Sequence, residues 1–282
     1  MRCRKRCASR PAGRRRDAAN LTLAALNMQH GWPALYTLLL WWFSTGLILY
    51  LNGLPRATHP WTFASATVLL GIALVGVSVS ASDTRVTGAY LAFTAALMVW
   101  AWQEIGFLLG YVTGPRRHAC PPSARGWRRA GHAVMAILYH ELALIVLGAA
   151  ILALSWHKPN QLAAWTFGVL WLMRLSAKLN VFLGVRNLNE QFLPEHLRYM
   201  HSYFRQRSSN ALFPVSVIGV TALAASAWHI AVALHRDSFD ITAGSFVATL
   251  LSLALIEHGF MMLPLRSERL WDWGLRSRAP HP

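Results

Sequence analysis

A chain of 282 residues that is 55% hydrophobic and only 13% charged spends nearly all of its length on apolar segments and the links between them. That leaves no room for a soluble catalytic domain, and no Gly-rich phosphate loop, paired C-x-x-C or nucleophile elbow is found in it. The net charge of +16 lies on the links and one terminus, which points to anionic lipid and away from nucleic acid as the partner.

The chain opens on an Arg/Ala-rich stretch, residues 1–27, without an apolar core of signal-peptide length. It reads as a disordered basic leader, or as an over-extended start with translation beginning at Met28. Cys3, Cys7 and Cys120 lack metal-site spacing and are expected as free thiols.

Seven apolar runs follow, at 33–51, 61–81, 86–111, 132–155, 162–185, 211–235 and 243–264. Each is close to the ~20 residues that cross a bilayer. Lipid offers backbone N–H and C=O groups no partner, so such runs form helices or closed barrels, and runs without period-2 alternation exclude the barrel. The fold class is therefore all-α: a polytopic bundle of about seven transmembrane helices over residues 28–265, followed by a C-terminal tail at 266–282. Tryptophans near the run ends, such as Trp61, Trp127, Trp156 and Trp165, are placed as interfacial anchors.

Taken in order, the third run carries Glu104, the fourth His140 and Glu141, the fifth Arg174 and Lys178, and the seventh Glu257 and His258. A central charge costs about 2.5–3.5 kcal/mol to insert, so these five charged groups must face the bundle interior, pair or neutralise. At ~1.5 Å per residue, Glu104, Glu141, Lys178 and Glu257 all lie about 10–14 Å from one end of the bundle. They are expected to form one polar layer, with Arg174 and Lys178 on a single face of the fifth helix. His140 and His258 each stand beside a Glu. Either could be a tetrapyrrole ligand, a metal ligand or a donor to a carbonyl, although H-x-x-H and H-E-x-x-H spacings are absent and no metal site is assigned.

Two links are long. Residues 112–131, rich in Pro, Gly and Arg, are expected to be irregular and to lie on anionic headgroups. Residues 186–210 place Leu197, Met200 and Phe204 at helical spacing beside Arg198, Arg205 and Arg207, which predicts an amphipathic helix resting on lipid or docking a partner. Arginines concentrate in these links, at Arg56 and after residue 265, whereas the alternate links hold only Arg85, Lys158 and Arg236. The positive-inside rule then puts the C-terminus in the cytoplasm and the region of Met28 in the periplasm.

The stretches WWFSTGLILYLNGLP (41–55), RLSAKLNVFLGVRNLNEQFLPEHLRYMHSYFRQRSSNALFPVSV (174–217) and ALIEHGFMMLPL (254–265) resemble the PuhE-type photosynthetic complex assembly proteins of purple phototrophic bacteria. The resemblance spans about residues 32 to 276. It implies a role in assembling the reaction centre and its antenna in the bacterial inner, photosynthetic membrane, with some link to bacteriochlorophyll supply. Bacteriochlorophyll or a precursor would be the cofactor, and reaction-centre subunits, antenna subunits or other assembly factors the partners. The residues themselves also permit an intramembrane enzyme acting on tetrapyrrole or lipid, if His140, Glu141, Glu257 and His258 converge. A proton-coupled carrier relaying through Glu104 and Lys178 is the third reading.

Overall fold

The computed structural model describes residues 12–188, 190–232 and 237–278, with side chains from residue 28 onward. Cys3, Cys7, Arg236 and the last four residues lie outside that range. Among the described residues seven helices are long and apolar enough to cross a membrane, so this is a multi-pass, all-α protein. They are α1 (Ala12–Gly53), α2 (His59–Ser80), α3 (Val86–Leu108), α4 (Gly126–Leu154), α5 (Leu162–Leu183), α6 (Leu212–Ala231) and α7 (Ser238–Phe260), and a short α8 (Asp272–Leu275) follows.

The helical path of α1 starts at Ala12, so residues 12–27 of the expected disordered leader are helical; their Ala, Arg and Leu content favours that state. Only 1–11 fall outside the described residues. Further along, α7 opens on Asp237, whose carboxylate accepts the Asp240 N–H at 2.8 Å.

The most buried spans are α7 and α3. One face of α3 is lined by Ala89, Ala92, Ala95 and Ala96, small enough for neighbouring backbones to come close, and Phe93 stacks on Phe246 of α7 at 4.3 Å. Around this centre α2 packs on α3, α6 on α7, and α1 and α5 against both.

The register of α1 on α7 shapes one end of the molecule. His30 Nδ1 shares a 2.8 Å hydrogen bond with Ser245 Oγ, and Trp41 Nε1 donates to Glu257 at 2.7 Å. Past Trp41, α1 runs on to Gly53, about 18 Å, whereas α7 stops at Phe260 instead of the expected 264. The chain that follows fills the gap. Trp42 Nε1 donates to Leu270 O at 2.8 Å, Trp271 Nε1 donates to Trp42 O at 2.9 Å, and Arg278 donates to Asn52 Oδ1 at 2.6 Å. A Cβ on Gly274 would overlap the backbone of Gly46, so both glycines allow the contact. The expected tail is thus, up to Arg278, a strap packed along α1.

The two long links also turn inward. Residues 112–125 are irregular as expected, whereas 126–131 of the same expected stretch belong to α4, and the irregular part leans on α4: Arg116 N donates to Met135 O and His140 N to Thr113 O, at 3.3 and 3.0 Å. Gly114 fits there because any Cβ would overlap Met135 O. The segment Glu195–Tyr203 is a 3-10 helix, and its i, i+3 apolar residues Leu197, Met200 and Tyr203 are buried. Leu197 and Met200 pack on Leu108, Phe107 and Ile137. Its apolar face therefore rests on the bundle, which corrects the lipid-lying amphipathic helix expected above.

Candidate functional site

The intramembrane charges converge on α5. Arg174 Nη2 donates to Glu104 Oε2 of α3 at 2.8 Å, and one turn on, Lys178 Nζ donates to Glu141 Oε1 of α4 at 2.5 Å. The i, i+4 spacing turns both cations to one side, so a single helix face holds two acids from two neighbours. Glu104 is buried, and its second oxygen has no partner.

Glu257 is placed differently from the expectation of one inward layer. It faces Trp41 across the α1–α7 contact, the residue as a whole is exposed, and among the described residues no cation pairs with it. The packing of α7 on α1 causes this, since it brings Glu257 against Trp41. Arg174 remains within electrostatic reach of it, and the Arg174 side chain is itself 45% exposed. Arg174, paired with Glu104, is thus partly exposed near the middle of α5, where a charge costs about 2.5–3.5 kcal/mol to insert, whereas Glu257 lies three residues from the end of α7, where that cost is lower.

Both histidines are core residues. His258 Nε2 shares a 2.9 Å hydrogen bond with Ser176 Oγ, and its Nδ1 donates to Ala254 O at 2.8 Å. Neither ring nitrogen is free for a metal. His140 is 1% exposed and lies 4.7 Å from the Phe107 ring, with Nδ1 unpartnered. Axial ligation of a tetrapyrrole needs an accessible ring nitrogen above an open slot, and neither residue provides one, so the residues present do not fit that group. No set of three His, Cys, Asp or Glu among the described residues could hold a metal ion.

The other two readings meet the same geometry. Glu141 turns to Lys178, Glu257 to Trp41 and His258 to Ser176, so the four residues of the enzyme reading do not converge. Glu104 and Lys178 each hold a different partner and do not hydrogen-bond to each other.

Several residues were invisible as site elements in the sequence. Gln103 is fully buried with both amide atoms unpartnered, one residue before Glu104, and only its place on the apolar face of α3 signals it. Arg129 and Arg116 looked like surface charge. Instead, Arg129 is buried and donates to the carbonyls of Phe182 and Tyr203, and Arg116 Nε donates to Tyr203 Oη at 2.7 Å. His196, on the 3-10 segment they secure, has its pKa lowered, chiefly by burial. Of the docking candidates, Arg198 and Arg207 are exposed and Arg205 half-buried; among the described residues no side chain hydrogen-bonds to any of the three guanidiniums.

The profile of the DUF3623 family, whose description is "Protein of unknown function", matches residues 28–281. A protein of Rhodobacter capsulatus described as "Uncharacterized 30.4 kDa protein in puhA 5'region" is 41% identical over 262 residues, which is 89% of this chain and 93% of that protein. No solved structure matches the chain.

Proposed function

We propose that this chain, which belongs to the DUF3623 family, is an assembly factor of the bacterial photosynthetic membrane that docks a transmembrane helix of a nascent reaction-centre or antenna subunit. The observation that carries the reading is the exposed Arg174 and Glu257 at helix depth. A partner helix with polar groups would cover both charges and replace lipid there. The relative's description, which sets it in the region 5' of puhA, a photosynthesis-gene neighbourhood, supports the same direction, as does the resemblance to PuhE-type assembly proteins. Bacteriochlorophyll or its precursor enters as the cargo of the docked subunit and not as a ligand of His140 or His258. Arg198, Arg205 and Arg207 would serve as a second, cytoplasmic contact for the same partner or another assembly factor.

The test uses Arg174→Gln and Glu257→Gln in a phototroph at matched protein level, read by the yield of assembled core complex and by co-purifying subunits. A lost polar contact of about 1 kcal/mol weakens docking roughly fivefold. Each variant is expected to lower the yield by a corresponding step, and an unchanged yield with both replaced would reject the docking face.

The arginine bias of the links supports an orientation with the C-terminus in the cytoplasm. Reporter fusions after Arg278 are expected to be active as cytoplasmic reporters and silent as periplasmic ones. The reverse pattern would place every arginine-rich link on the outer side.

A further inference from the structure

Where α5 and α7 end, the links that follow them enclose a cleft of about 350 Å³ that the docking face does not use. One wall comes from residues 186–188 and 190–191, with Arg186 and Glu190; the other comes from the residues after α7, with Arg266 and Glu268. The walls are held together by Asn187. Its N–H donates to Met261 O and its amide to Phe260 O, both at 2.9 Å, and the amide also reaches Leu263 O. Gln206 Nε2 donates to Arg186 O at 3.3 Å, and Arg278 donates to Gln191 O. The cleft is preformed by contacts that involve none of its charged side-chain ends.

Those ends are two guanidiniums and two carboxylates, unpaired with each other. Among the described residues the side-chain ends of Arg186, Arg266 and Glu268 have no hydrogen-bond or ion-pair partner, and the Glu190 carboxylate has only His201 Nδ1 at 3.7 Å. A purely anionic ligand would meet the two carboxylates, and a purely cationic one the two guanidiniums. A ligand carrying both signs satisfies all four. The arginines suit a phosphate, which their planar fork can grip through two oxygens, and the carboxylates suit an ammonium that still has N–H groups to donate. The volume lies at the low end of the range of about 300–1,000 Å³ for ligand pockets, right for a headgroup and small for a macrocycle. At the rim, Leu263 and Leu265 are 52% and 51% exposed beside Pro264, just beyond the end of a spanning helix. Apolar residues there would meet acyl chains.

We infer that this cleft binds the headgroup of a zwitterionic phospholipid bearing a phosphate and a primary ammonium. Phosphatidylethanolamine has that chemistry. A bound lipid would join the α5 and α7 ends and keep the segment after α5 at the membrane surface.

The full chain, reconstituted with equal parts of phosphatidylethanolamine, phosphatidylcholine and phosphatidylglycerol, would be stripped of loose lipid and its retained lipid quantified by mass spectrometry. Phosphatidylethanolamine is expected to be enriched about tenfold over each of the others, a difference of about 1.4 kcal/mol. The quaternary amine of phosphatidylcholine has no N–H to donate, and phosphatidylglycerol lacks the cation. The Arg186→Gln/Arg266→Gln variant should lose the retained lipid. Glu190→Gln/Glu268→Gln should keep lipid but lose the choice of phosphatidylethanolamine over phosphatidylglycerol. Equal retention of the three lipids, or enrichment of phosphatidylglycerol, would overturn the proposal. Displacement by an equal concentration of soluble phosphoethanolamine would overturn the assignment to a lipid.

Discussion

Replacing Lys178 by methionine is expected to destabilise the bundle by about 3 kcal/mol, more than the loss of the contact alone explains. A polar contact between membrane helices contributes about 0.6–1.7 kcal/mol, so the remainder must come from what is left behind. Here that is Glu141, whose carboxylate takes a 2.5 Å hydrogen bond from Lys178 and has no other cation among the described residues. Both side chains are 24% exposed, which places the effect at the lower end of the range for buried pairs. The double variant Lys178→Met/Glu141→Leu removes both charges together and should return to within about 1 kcal/mol of the parent, since apolar packing can replace a buried ion pair. Reversible unfolding in mixed micelles across the four proteins gives the coupling energy directly. If Lys178→Met alone cost under about 1 kcal/mol, the pair would be peripheral to packing. If the double variant were as unstable as the two singles summed, the charges would be required for a reason other than each other.

The spans were legible because apolar runs of about 20 residues have one solution in lipid. Their ends were less so. Hydropathy carries the seventh run through Met261, Met262 and Leu263, but α7 stops at Phe260, where Asn187 takes up carbonyls at its end. That contact joins residues far apart in sequence and leaves no local signal. The same distinction runs through the charged residues. The i, i+4 spacing of Arg174 and Lys178 announced a shared face, whereas the choice of Glu104 for one and Glu141 for the other depends on how far α3 and α4 slide along α5. Glu257 was assigned the same depth from the run's length, but α7 ends at Phe260, only three residues on, and its packing on α1 pairs Glu257 with Trp41. His258 was read as a candidate ligand because its hydrogen-bond partner Ser176 is an unremarkable serine on another helix. In the 195–203 segment the i, i+3 spacing of Leu197, Met200 and Tyr203 was present in the sequence, and it favours a 3-10 helix against protein over an α-helix against lipid.

Arg129 shows how far a net-charge count can mislead, and it carries the second large expected effect. It sits in the first turn of α4 among Arg125 and Arg128, both exposed, yet it is itself 7% exposed. Its Nη2 donates to Phe182 O at 3.0 Å and to Tyr203 O, and its guanidinium carbon lies 4.1 Å from the Phe182 ring centroid. One side chain thus ties the start of α4 to the end of α5 and to the 3-10 segment. Hydrogen bonds from a charged donor contribute about 1.5–3 kcal/mol and a desolvated cation–π contact about 2, and the terms overlap because they share one group. Arg129→Ala is therefore expected to cost about 3–4 kcal/mol, since two buried carbonyls lose their donor as well. Arg129→Lys keeps the charge but not the planar fork that serves both carbonyls over the ring, and should recover less than half of that loss. Arg128→Ala, one residue away, should stay within about 0.5 kcal/mol of the parent. Amide hydrogen exchange localises the effect: residues 195–205 should lose protection in both Arg129 variants while the α3–α7 centre keeps it. Equal costs for Arg128→Ala and Arg129→Ala, or unchanged protection at 195–205, would show that Arg129 contributes only its charge.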